Sequence, residues 1–382
     1  MENQNPTPTE VQTPARSNGR VAMAFLFVFA LLGVGSALLM YFTPHLFVHE
    51  AQAESHPRLK VGGTSTVFVI VDNRWRTKYL DEKGVEVNYE STGTTSGINR
   101  MLDGTYAIAF THGPVTAEQR EKAKAKGSDV VHIPVLLCGV AVVYNVKELN
   151  GKEPLKLTGD LLADIFMGKI KEWNDPAIKA INSGVDLPAT KITVVHREDS
   201  SGTTQLFTDY LAAVSPTWKE KVGPPASEIK WPVGVGASRN LGVAIKVSET
   251  EGAIGYVDRM FTSYGEINLN AAAILNKDKT GFIRPEPENV TAAAAGNLAE
   301  ISEELTINLA NKSGKDSYPI SGVVYAVCFQ KQPEATRQQV ADFLHWATHE
   351  GQPHAARMTY APLPPELVAR TDQKLDAMKA AK

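Results

Sequence analysis

The chain has 382 residues, 43% of them hydrophobic and 21% charged, with a formal net charge of −3 at pH 7. That apolar content excludes a disordered protein and, at this length, supports two domains. The near-neutral charge excludes a general nucleic-acid binder, which needs a basic face against phosphates, so any anion must be captured locally.

Residues 1–20 are rich in Pro, Thr, Asn and Gln and read as a disordered cytoplasmic tail. From Val21 to Phe42 no residue is charged, and at about 1.5 Å per residue such a run spans a bilayer core of roughly 30 Å. Arg16 and Arg20 precede it, and the next Lys or Arg is Arg58, so the positive side is N-terminal and the remainder is expected to be exported. Residues 21–43 are therefore a transmembrane anchor or signal segment. The length favours an uncleaved anchor, while Ala51-Gln52-Ala53 resembles a cleavage site. Residues 44–57 form a linker.

From Arg58 onward, short β-rich runs alternate with helical patterns, which predicts an α/β fold around open mixed sheets. Strands are expected at Val85 to Tyr89, Ala107 to Thr111, Val135 to Tyr144, Ile192 to Val195, Ile254 to Val257 and Val323 to Phe329. Helical spacing appears at Ile98, Met101 and Leu102, at Leu161, Leu162, Ile165 and Phe166, and at Val340, Phe343, Leu344 and Ala347. The stretch from Pro285 to Asn297, dominated by Pro, Glu and Ala, reads as a surface excursion within a domain. Cys138 and Cys328 both lie in apolar strand-like runs and are expected as buried thiols.

Three hydroxyl-rich turns carry the chemistry. Gly62-Gly63-Thr64-Ser65-Thr66 precedes Trp75 and Tyr79, Ser91 to Gly97 follows one strand run, and Arg197 to Thr204 follows another. The third joins a guanidinium, a carboxylate able to orient it, and Ser201-Gly202-Thr203 at the start of a helical pattern through Leu206, Phe207, Tyr210 and Leu211. Free N–H groups and the dipole at a helix N-terminus favour an oxyanion there. His345 and His349 stand four apart, a spacing able to hold a metal on one helix face, but no third ligand is apparent nearby and no metal or cofactor is expected.

Several ordered blocks lead to a family. They are Val87-Asn88-Tyr89 followed by Ser91 to Gly97, Gly168 to Asp175, His196 to Thr204, Trp231-Pro232-Val233-Gly234, Gly252 to Val257, and Tyr360 to Pro364. Over these blocks the chain resembles the phosphate-specific substrate-binding proteins of bacterial ABC importers. The resemblance implies a two-lobed, type II periplasmic binding protein, with residues 58–133 and 318–382 in lobe 1 and 134–317 in lobe 2. It implies one inorganic phosphate held by Thr66, Val67, Thr94, Arg197, Ser201, Gly202 and Thr203, with Asp199 orienting Arg197. The implied partners are permease subunits of an importer, and the membrane if the anchor is retained; the protein is expected to be a monomer.

Two positions depart from the family pattern. His112 stands where the family usually carries a phosphate-binding Asp, so it is expected in the cleft, either relaxing discrimination against sulfate-like anions or adding pH dependence near its own titration range. Val67 opens the β-branched run Val67-Phe68-Val69-Ile70, a poor helix start, which makes its backbone donation less certain than that at Ser201 to Thr203. Competing readings are a receptor for sulfate or arsenate, a phosphatase using Ser201 and Arg197, and a tethered sensor that no longer binds ligand. No general base adjoins Ser201 in sequence, which weighs against an enzyme.

Overall fold

The computed structural model describes residues 56–380, so the expected tail and anchor at 1–43 and residues 44–55 of the linker lie outside it. Among the described residues no helix is long and apolar enough to cross a membrane. The strands that matter for the site are β1 (Arg58–Gly63), β2 (Glu86–Ser91), β3 (Ile108–Thr111), β4 (Val130–Asn145), β5 (Thr193–Arg197), β6 (Val235–Ala237), β7 (Ala253–Asp258) and β8 (Ser321–Phe329). They form one nine-stranded mixed sheet in the order β2-β1-β3-β8-β4-β7-β5-β6, with Asn270–Ala271 added beside β4.

Each end of this sheet is a parallel flank: β2-β1-β3 on one side and β7-β5-β6 on the other. Antiparallel pairing joins them in the centre. The first part of β4 pairs with β8, from Val130↔Phe329 to Gly139↔Ser321, and its last six residues pair with β7, from Val140↔Asp258 to Asn145↔Ala253. Burial on both faces explains why β4 reads as an unbroken apolar run rather than an alternating one.

The helices that bear on the site are α1 (Ser65–Ile70), α2 (Thr94–Leu102), α3 (Gly202–Val214), α4 (Arg239–Glu249), α5 (Glu334–Thr348) and α6 (Pro365–Ala380). The β-branched run after Thr66 is helical after all, and it continues through a π-helical turn at Val71–Trp75 into a helix at Arg76–Lys83. Intrinsic propensity penalises each β-branched residue by about 0.7 kcal/mol at most, whereas burying a Val or Ile side chain gains about 1.5–3 kcal/mol. Val67, Val69, Ile70 and Val71 are all buried, so packing wins. Trp75 then donates from Nε1 to the Gly351 carbonyl at 3.0 Å and packs edge-on against Phe343 and Trp346.

The stretch at 285–297 is not a surface excursion. Pro287–Ala295 is a helix that buries Val290, Ala293 and Ala294. Its Val290 lies against Gly139 of β4, where an added Cβ would come within 2.8 Å of Val290 Cγ2. Alanine is the best helix former, and here it also allows a close approach. Cys138 and Cys328 are buried free thiols, as their apolar setting predicts.

Candidate functional site

The turn after β1 is shaped by Gly63, whose φ of 132° and contact with the Phe110 carbonyl, 2.3 Å from an added Cβ, leave room for no side chain. Thr64 then caps α1, its Oγ1 accepting from the Thr66 N–H at 3.4 Å. Tyr89 donates to the Thr64 carbonyl at 2.5 Å, and the Tyr360 hydroxyl donates to the Thr66 carbonyl. Thr66 and Val67 are both fully buried. The second turn hangs on the same glycine, because the N–H groups of Thr92 and Gly93 both donate to the Gly63 carbonyl, at 3.1 and 2.9 Å. Thr94 is thereby held as the first residue of α2.

The third turn carries the charge. Arg197, at the end of β5 and only 4% exposed, donates from Nε to Asp199 Oδ1 at 2.7 Å and from Nη2 to Oδ2 at 2.6 Å. This two-point clamp fixes the guanidinium plane. Asp199 is itself held by the Arg239 N–H at 3.0 Å. Burial pushes the Asp199 carboxyl up, but the bonds and charge of Arg197 outweigh it and keep the group below its ordinary range. Ser201 caps α3, its Oγ accepting from the Thr204 N–H at 3.2 Å, so what it has left to offer a ligand is its hydroxyl proton. Tyr256 braces the turn by accepting from the Arg197 N–H at 3.2 Å and bonding Thr204 Oγ1 at 2.7 Å.

The turns meet in space. Thr95 Oγ1 and Ser200 Oγ are 2.8 Å apart, joining the second to the third. Asn240 Nδ2 donates to Ser65 Oγ at 3.2 Å while Asn240 Oδ1 accepts from the Asp258 N–H at 3.1 Å, joining the first turn to the end of β7. Thr94, His112 and Gly202 line one cavity of about 500 Å³. His112 packs so tightly on Gly202 that an added Cβ would fall 1.9 Å from its Nδ1.

Burial, and after it the positive charge of Arg197, pushes the His112 imidazole down to about 3. The expectation that His112 titrates near neutrality is therefore corrected: in this site it is a neutral ring, able to donate from one nitrogen and accept at the other. Buried side-chain atoms with no partner include Thr66 Oγ1, Thr94 Oγ1, both nitrogens of His112, Arg197 Nη1 and Thr203 Oγ1. Such atoms are costly in a folded interior, by about 1–3 kcal/mol each. Their concentration in the residues expected from sequence marks a polar ligand site.

Asp258 is the residue that sequence reasoning missed. It ends β7, is 2% exposed, and lies beside Thr66 with an oxygen within 4.8 Å of His112 and Cys138 ligand atoms. Burial pushes its carboxyl up to about 7. The available signal was a single acid closing the apolar run Ala253-Ile254-Gly255-Tyr256-Val257. Nothing local to that run points to Thr66 or His112.

Comparison with known proteins identifies the fold and the family. Residues 50–350 match the PBP superfamily domain. The phosphate-binding protein PstS of Pasteurella multocida is 37% identical over 299 residues, covering 78% of this chain and 84% of that protein. PstS of Xylella fastidiosa (strain Temecula1) is 34% identical over 323 residues, covering 84% and 86%. The fold is also that of a high-affinity periplasmic phosphate-binding protein solved with bound phosphate, at a TM-score of 0.65 and 20% identity over 82% of this chain and 92% of the other. With a superfamily domain spanning most of its length and relatives above 30% identity along nearly all of theirs, the chain belongs to the PstS phosphate-binding protein family.

Proposed function

We propose that this chain is a periplasmic, non-catalytic receptor that captures inorganic phosphate and delivers it to an ABC importer. The observation that carries this reading is the set of unpartnered buried donors on three turns around a clamped guanidinium. An anion satisfies those donors at once, and a buried anion is stable only when its oxygens are so saturated. Relatives named phosphate-binding proteins support the choice of phosphate.

The ligand set is Thr66, Val67, Thr94, His112, Arg197, Ser201, Gly202 and Thr203, with Asp199 orienting. Asp258 joins it as the carboxyl facing the same space. Residues 58–133 with 318–382 form one lobe and 134–317 the other, each carrying one parallel flank of the sheet. The apolar run from Val21 to Phe42 tethers the receptor to the inner membrane, the permease subunits receive the ligand, and the chain acts as a monomer.

A neutral His112 favours a second reading of the selectivity. A carboxylate can only accept, so it tests whether the anion still carries a proton; an imidazole that can donate or accept tests this less strictly. Titration calorimetry with phosphate and with sulfate, from about pH 5.5 to 8.5 to bracket an ordinary imidazole titration, distinguishes the cases. One phosphate per chain at every pH is the expected result, and sulfate competing within a few-fold selects the relaxed site. No heat with phosphate, and no rise in melting temperature, sinks the receptor reading.

A further inference from the structure

The cavity that Thr94, His112 and Gly202 line is larger than one oxyanion needs. Four phosphate oxygens, at the roughly 30 Å³ that a water takes in the liquid, occupy about 120 Å³, against about 500 Å³ here. The surplus runs along α3. Gly202, Gln205, Leu206 and Asp209 all line the cavity, and their spacing of three, four and seven residues places them on one face of that helix. Seven residues at about 1.5 Å each put Asp209 roughly 10 Å from the helix start.

The wall of this wing formed by Thr306, Ile307 and Asn308 is tied in place. The Ile307 N–H donates to the Tyr325 hydroxyl at 3.0 Å, Arg370 Nη2 donates to the Ser302 carbonyl at 2.9 Å, and Glu304 is paired with Arg120.

The two ends of the wing differ in what they lack. At the Gly202 end, Thr94 Oγ1 and both His112 nitrogens are buried without partners beside the N-terminus of α3. At the far end Asp209 is half-buried and has amide partners alone: Gln205 Nε2 stands 3.5 Å from its Oδ2, and Asn308 is the other. Among the described residues no cationic side chain offsets its charge, whereas Glu300 on the same cavity is paired with Lys312. Burial pushes the Asp209 carboxyl up to about 6, so its ionised form carries a desolvation cost that a cation beside it would relieve.

Taking a hydrogen bond of about 2.9 Å off each end of that roughly 10 Å span leaves about 5 Å, the length of a phosphoryl group joined to an ammonium through two carbons. Resting on the reading of the cradle as a phosphate site, we propose that the cavity also accepts a phosphate monoester of a two-carbon amino alcohol. Its phosphoryl oxygens meet Thr94, His112 and the N-terminus of α3, and its ammonium meets Asp209. A monoester keeps three oxygens for the cradle and gives the fourth to the carbon chain, which lies along Gln205 and Leu206.

Calorimetry on the full chain freed of phosphate compares inorganic phosphate, ethyl phosphate and 2-aminoethyl phosphate. One 2-aminoethyl phosphate per chain is expected, bound about tenfold or more tightly than ethyl phosphate, the effect of one charge-assisted hydrogen bond. Asp209→Asn keeps the side chain's shape, and is expected to erase that preference with no loss of affinity for inorganic phosphate, which also shows that the variant is folded. Binding of inorganic phosphate but of neither ester overturns the proposal and leaves the receptor reading standing. Binding of none of the three overturns both. Equal affinity for the two esters, or a preference that survives Asp209→Asn, overturns the proposal as well, because the ammonium would then not be held by Asp209.

Discussion

At the end of β5, Arg197 is held by two bonds that it donates to Asp199 and one to Tyr256, and a single nitrogen, Nη1, is buried without a partner. At the end of β3, His112 is held by packing on Gly202 and keeps both ring nitrogens unbonded. The two strands end in opposite flanks of one sheet, and in the proposed receptor they face the same anion. One flank contributes a permanent charge whose direction is fixed before ligand arrives. The other contributes a neutral ring and hydroxyls whose donor and acceptor roles remain to be set. In the proposed receptor the fixed cation secures affinity, while groups that can switch role decide which oxyanion, and in which protonation state, is accepted.

The largest effect that could break this contrast is on stability against acid. Because the folded state holds His112 neutral down to about pH 3, unfolding takes up a proton below the ordinary imidazole value, near 6.5. Stability from this group is present above that value and lost as pH falls towards 3, by up to roughly 1.4 kcal/mol per pH unit. Asp258 has the opposite sign: its raised carboxyl favours the fold at low pH, and that contribution is lost as pH rises from about 4 to about 7. Denaturant unfolding between those limits should show the two slopes opposing one another. His112→Leu should leave stability rising as pH falls, and Asp258→Asn should leave it falling; parallel curves for both variants would mean that the groups titrate normally.

Next in size is the fixed charge itself. Arg197→Ala removes a charged hydrogen bond worth about 1.5–3 kcal/mol, so phosphate affinity should drop roughly 10- to 150-fold in calorimetry. Retained affinity would move the anion away from β5. The smallest expected effect compares hydroxyls across the flanks. Thr66→Val and Thr203→Val each remove one unpartnered hydroxyl, and each should weaken phosphate binding by about 0.5–1.5 kcal/mol while stabilising the empty protein. If only one variant does so, only that flank touches the ligand.

Much of the fold was legible because its signals are local. Strands β3, β4, β7 and β8 are dense in Val, Ile and aromatics, and their burial leaves no ambiguity about where they belong. Arg197, Asp199 and Ser201 were legible for the same reason: clamp, cap and helix start fall within one turn. Where sequence reasoning failed, distant residues decide. The helix after Thr66 forms because Trp75 and its neighbours find Phe343, Trp346 and Gly351. Asp258 joins the site only through β7 pairing with β4, and Asp372 reaches His349 only because α6 packs back on α5. No window of sequence contains those pairs.

The long strand β4 has a consequence for how the molecule comes into being. Nine of its first ten residues pair with a strand that begins at Ser321, some 180 residues later in the chain, Val135 being skipped at a bulge. Pairings so remote must close a large loop before they return any energy, and such topologies fold slowly. A chain emerging N-terminus first cannot complete its central sheet until β8 appears, and until then β4 presents an unpaired apolar edge. A chain truncated before β8 is expected to aggregate through that open edge, which turbidity of such a truncation would check.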